Sequence, residues 1–147
     1  VQFTGGISVN TRAAGVAWAD GDKIGIFMTE AGKTLSADVI KEGVDNVCYQ
    51  SNGSIAFSPI SGGKTVFFPI DGDVDFYSYY PQTTVNDYKV ALDVTDQTKQ
   101  EAIDFMYAKT EGCNKATPQV DLRFFHKLSN LILAVQPKQT VALRLTV

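Results

Sequence analysis

With 147 residues, a formal net charge of −3 and 44% apolar residues, the chain is long enough to bury a core of its own as one domain. Its Lys and Arg residues are scattered, so no basic stripe faces a phosphate backbone and nucleic acid is not an expected partner. The longest apolar run near the C-terminus, Leu131-Ile132-Leu133-Ala134-Val135, falls far short of the roughly 20 residues that span a bilayer.

Val1 to Val9 is predicted as a strand weakened by Gly5-Gly6, and Asn10 to Gly15 as an exposed loop of small residues. Trp18 precedes a predicted turn at Asp20-Gly21-Asp22, and Ile24 to Thr29 is β-rich. Glu30 to Gly43 has no period and is expected to be an irregular surface connection. Val44 to Tyr49 and Ile55 to Phe57 flank Asn52-Gly53, which predicts a hairpin. A second hairpin is predicted within Lys64 to Pro81, from Thr65–Phe68, a turn at Pro69–Asp73, and Val74–Tyr80. Six of the fifteen Phe and Tyr residues fall there, so this stretch is expected to seed the core.

Tyr88, Val90, Leu92 and Val94 alternate with more polar neighbours and predict another strand, Asp96 to Ala102 one or two helical turns, and Ile103 to Ala108 a strand. Val120, Leu122, Phe124, His126 and Leu128 share one face of a further strand. The phase breaks at Ser129-Asn130, where a bulge or turn is expected before Leu131, Leu133 and Val135. Val141, Leu143, Leu145 and Val147 alternate to the last residue, which suggests a piece of a longer protein. Residues 1–147 are therefore expected to form a single antiparallel all-β sandwich with at most one short helix.

Candidate chemistry is sparse. Asp71-Gly72-Asp73-Val74-Asp75 imitates the start of a calcium loop, but Phe76 stands where the sharp turn needs Gly and Gln82 where the bidentate Glu belongs, so a solvated turn is the favoured reading. Asp20 and Asp22 are read the same way. His126, the single histidine, would have to serve any Ser-His-Asp or Cys-His scheme, yet it lies in phase with core residues and is read as structural. Cys48 and Cys113 lack metal-type spacing and are read as free thiols, with one disulfide as the alternative. No catalytic, cofactor or metal residues are assigned. Tyr77, Tyr79 and Tyr80 could stack on a sugar ring, with strand packing the favoured reading. Arg12-Ala13, among small residues just after the first strand, is the candidate cleavage point, with an ordinary surface Arg as the alternative.

Several motifs then follow one another in order: Thr11-Arg12-Ala13; Trp18 with Gly21-Asp22 and Ile24-Gly25-Ile26-Phe27-Met28; Val66-Phe67-Phe68-Pro69; Asp75-Phe76-Tyr77-Ser78-Tyr79-Tyr80-Pro81; Val94 to Gln97; Ile103-Asp104-Phe105-Met106-Tyr107-Ala108; and Phe125-His126-Lys127-Leu128-Ser129. This series resembles the N-terminal domain of the fimbrillin family, the type V pilins and related surface proteins of anaerobic Gram-negative bacteria. The resemblance implies a transthyretin-like β-sandwich in a two-domain, non-enzymatic pilus subunit, exported as a lipoprotein precursor to the outer membrane. It implies no cofactor and neighbouring fimbrial subunits as partners. It further implies that a trypsin-like protease removes the first strand, here Val1 to Val9, by cutting at Arg12-Ala13, and that a strand from a neighbouring subunit takes its place. A surface glycan-binding module, or a fimbrial tip or anchor protein, is the alternative.

Overall fold

The computed structural model describes residues 1–8, 17–92, 95 and 104–127. Their backbone forms seven strands, β1 (Gln2–Ser8), β2 (Asp20–Glu30), β3 (Val47–Asn52), β4 (Ala56–Pro59), β5 (Val74–Tyr80), β6 (Met106–Cys113) and β7 (Gln119–His126), with one short 3₁₀ turn at Ala37–Val39. The strands close on themselves in the order β1-β4-β3-β2-β5-β6-β7. An all-β chain with at most one short helix is what the described residues show. Strictly antiparallel pairing is not: β1 runs parallel to β7, in register from Gln2↔Gln119 to Ser8↔Phe125. Hairpins force antiparallel neighbours, whereas β1 and β7 lie far apart in the chain and no tight turn dictates their direction.

Alternation places the core. Val120, Leu122 and Phe124 of β7 are buried while Asp121, Arg123 and Phe125 face outward, as their period predicts. The interior also takes Phe3, Ile24, Ile26, Met28, Tyr49, Phe57, Val74 and Phe76. Strand β5 is buried on both faces, because Phe27, Tyr77 and Tyr79 form a second cluster on the outside of the sheet. Leu35, Ile40, Val85, Tyr88 and Val90, from the connections flanking it, cover that cluster.

Three predicted elements are corrected. The Lys64–Pro81 stretch is not a hairpin: Val74–Tyr80 forms β5, but it pairs with β2 and β6, and Thr65–Phe68 carries no strand. With both edges of β5 taken, the earlier run instead lays Val66, fully buried, against Tyr49, whose hydroxyl accepts the Val66 N–H at 2.9 Å. The alternation at Tyr88 and Val90 reflects packing over the outer cluster rather than sheet pairing, and Leu92 is exposed. That segment is a tight turn closed between Asn86 and Lys89, with Asp87 and Tyr88 at φ of 50° and 56°. The turn at Asp20-Gly21-Asp22 is corrected in its place only: it forms, with the Asp22 N–H donating to Ala19 O at 3.2 Å and Gly21 at φ 94°, but it lies inside β2 as a bulge where the register with β3 shifts.

The Asn52-Gly53 hairpin forms as predicted, joining β3 to β4. Gly53 adopts φ 81°, and Ser54 donates to Asn52 Oδ1 at 2.6 Å across the turn. The loop at Asn10–Gly15, the helical turns at Asp96–Ala102, the break at Ser129-Asn130 and the strands expected from Leu131 to Val147 lie outside the described residues.

Candidate functional site

Strand β1 is the part of the sheet that two very different neighbours hold. Along β7 it is paired over its whole length, whereas along β4 it is paired only at Phe3↔Phe57 and Thr4↔Ala56, extended by the Gly5 N–H donating to Ile55 O at 2.7 Å. One large side chain anchors it: Phe3, 1% exposed, lies edge-on to Tyr49 and Phe76 with ring centroids 5.1 Å away in each case. Val1 and Ile7 pack only partly against the core.

The Gly5-Gly6 pair, expected to weaken this strand, divides into two roles. A methyl group on Gly5 would stand 2.6 Å from Phe57 Cε2 and 3.2 Å from Phe124 Cε2, so Gly5 is the residue that lets those rings close over β1. Trp18 packs edge-on against both rings at 5.0 Å and donates its indole N–H to the Gly5 carbonyl at 2.8 Å. Gly6 faces outward, with open space where its Cβ would be. Arg12 and Ala13, the candidate cleavage point, lie outside the described residues.

The three candidate tyrosines do not share one surface. Tyr77 and Tyr79 project to the outer face of β5 at 8% and 4% exposure, and Tyr80 projects inward to meet Trp18 edge-on at 5.4 Å. Their hydroxyls are engaged: Tyr77 donates to Lys33 O at 2.9 Å, Tyr80 to Asp22 Oδ1 at 3.1 Å, and Tyr79 lies 2.7 Å from both Asn46 Oδ1 and Thr83 O. Burial pushes the Tyr79 phenol above its ordinary pKa. Sequence reasoning missed an aromatic recess of about 290 Å³ beside them, walled by Phe27, Tyr79, Tyr88, Phe105 and Tyr107, because residues distant in the chain build it.

His126 Nδ1 lies 2.6 Å from Asp104 Oδ1, which fastens the lead-in to β6 onto the end of β7. The three aspartates that imitate a calcium loop form no common ligand cluster. Asp75, 1% exposed, accepts the Gly32 and Gly112 N–H groups at 2.9 Å each, so it is no solvated turn residue; Asp73 accepts from Asn114 Nδ2 at 2.9 Å. Among the described residues no three His, Cys, Asp or Glu side chains gather as a metal cage. Cys48 and Cys113 are free thiols, and burial raises the pKa of each.

The first strand thus closes the barrel-like sheet, paired with β7 along its whole length and with β4 over a short stretch. Residues 11–146 match the family model described as fimbrillin-like. The chain belongs to the fimbrillin-like family. It is 36% identical to a Bacteroides uniformis protein named "Putative fimbrium subunit Fim1C", over 95% of this chain and 46% of that protein. It is also similar to a crystal structure described as a "putative cell adhesion protein" from Bacteroides uniformis, at 36% identity and TM-score 0.66 over 86% of this chain and 48% of that one. A second such structure, from Bacteroides ovatus, matches at 26% identity and TM-score 0.60 over 86% of this chain and 51% of that one. This fimbrillin-like chain therefore spans about half the length of the relatives it matches.

Proposed function

We propose that this chain is the N-terminal half of a two-domain, non-enzymatic structural subunit of a cell-surface fimbria, and that it assembles by strand exchange and supports adhesion. In this reading the precursor is a lipoprotein of the outer membrane and the finer fold is a transthyretin-like sandwich. A trypsin-like protease cuts at Arg12-Ala13, β1 departs, and a strand of a neighbouring subunit enters between β4 and β7. The observation that carries the proposal is the position of β1: a segment next to the candidate cut fills one complete slot of the sheet, holding it through main-chain hydrogen bonds and a single fully buried aromatic ring. Emptying the slot would leave two unpaired strand edges beside exposed rings, a surface that recruits another strand.

The test is digestion of the full-length subunit with an Arg-specific protease, followed by N-terminal sequencing and size-exclusion chromatography. Cleavage after Arg12 with loss of residues 1–12 and growth of multimers is expected. A bond that resists cutting in the folded subunit, or cut material that stays monomeric, would overturn the reading.

A further inference from the structure

The slot that β1 fills is not uniform along its length. At the Phe3 position it widens into a space between Tyr49 and Phe76 that a whole ring occupies. Two residues on it narrows, because Phe57 and Phe124 leave no room for even a Cβ at Gly5 while Trp18 holds the carbonyl there from the side. Two residues further, Ile7 packs partly against the core. The intervening positions differ: Thr4 reaches outward to Asp121 Oδ1 at 3.3 Å, and Gly6 has empty space beside it.

Building on the strand-exchange reading above, we infer that the slot selects its incoming strand by a register code of a large aromatic residue, glycine two positions later and a medium aliphatic residue two positions after that. The occupant is an extended segment of another subunit, running parallel to β7 and antiparallel to β4. The glycine position sets the register, since a one-residue slip would exchange every inward side chain for its outward neighbour and a two-residue slip would drive a side chain into Phe57. Within the 147 residues, Phe3 is the single Phe, Tyr or Trp that stands two positions before a glycine, so no other stretch of this chain satisfies the code.

The experiment uses the full chain nicked after Arg12, which still carries β1, challenged with an excess of labelled peptide covering Val1 to Val9. The parent peptide and its Gly6→Val form are expected to exchange into the protein, whereas Gly5→Val and Phe3→Ala peptides bind at least about tenfold more weakly. A Gly5→Val peptide that binds within about twofold of the parent would overturn the code while leaving strand exchange standing. If no peptide enters, the parent included, strand exchange itself fails, and the narrowing is then read in the intact, uncut chain. There Gly5→Ala should lower the thermal midpoint while Gly6→Ala leaves it near the parent's, and the Gly5→Ala loss should shrink in a Phe57→Leu background. Equal effects of Gly5→Ala and Gly6→Ala would dispose of the narrowing as well.

Discussion

The indole N–H of Trp18 donates to the carbonyl oxygen of Gly5 at 2.8 Å, joining two residues 13 positions apart that bracket the candidate cleavage point at Arg12. Trp18 is 6% exposed, so the bond forms away from water, where an orphaned acceptor costs about 1–3 kcal/mol. Trp18→Phe keeps most of the ring packing against Phe57 and Phe124 but leaves the Gly5 oxygen without this donor. The substitution should destabilise the fold by about that amount and speed amide exchange along β1 more than along β5. Urea unfolding with residue-resolved hydrogen exchange checks it; uniform acceleration across the sheet would show that Trp18 does not hold β1 selectively.

Asp75 ties three parts of the sheet together. From β5 its carboxylate, on a residue 1% exposed, accepts the N–H of Gly32, just past β2, and that of Gly112 in β6, both at 2.9 Å. Asn fits the same space but presents one oxygen and an NH₂ group, so one N–H would face another donor. Hydrogen bonds to charged groups contribute about 1.5–3 kcal/mol each, and Asp75→Asn should cost roughly one of them. A urea midpoint within error of the parent would show that the two N–H groups find other acceptors.

The two thiols give a direct chemical reading of the interior. Cys113 is 8% exposed and Cys48 half-buried, and burial lifts both pKa values above the ordinary one, with Lys23 partly offsetting the effect at Cys48. Because the thiolate is the reactive species, both should react slowly with a disulfide reagent at neutral pH, Cys113 more slowly than Cys48. In denaturant without reductant, two thiols per chain should react at once; fewer would reveal a disulfide.

Which parts of this architecture the sequence reveals depends on where the deciding partners sit. The alternation of Val120, Leu122 and Phe124 and the Asn52-Gly53 turn are local signals, and each appears where it is predicted. The partner of β5 is not local: Val74–Tyr80 has strand character whatever lies beside it, and only closure of the sheet gives it β2 and β6 rather than the nearer Thr65–Phe68. Tyr88 and Val90 mislead for a related reason, since a loop covering an apolar face can mimic the period of a strand. The motif order identifies the family without the geometry. The slot itself was hidden, because Gly5 reads as a weak strand residue until Phe57 and Phe124 are seen above it.

Buried phenols make the fold sensitive to alkali. Tyr49 is 1% exposed and burial raises its pKa above the ordinary 10.0, with the Val66 N–H partly drawing it back; Tyr79 is raised by burial too, against opposing hydrogen bonds to Thr83 and Asn46. In the unfolded chain these groups lose their protons near pH 10, while in the folded chain they keep them to higher pH. Between those limits the unfolded state binds fewer protons, so stability falls as pH rises. The contribution is therefore fully present below about pH 10 and lost above it, at up to about 1.4 kcal/mol per pH unit for each tyrosine while its folded form remains protonated. Lys109, its pKa raised chiefly by Glu111, adds in the same direction but lies near the surface, where solvent screens it. Urea unfolding at a series of pH values from about 8 to about 11 should show a plateau and then a decline. Tyr49→Phe should start lower, because the Val66 N–H loses its acceptor, and should decline less steeply. An unchanged slope in that variant would place the alkaline loss on Tyr79 and the other raised groups instead.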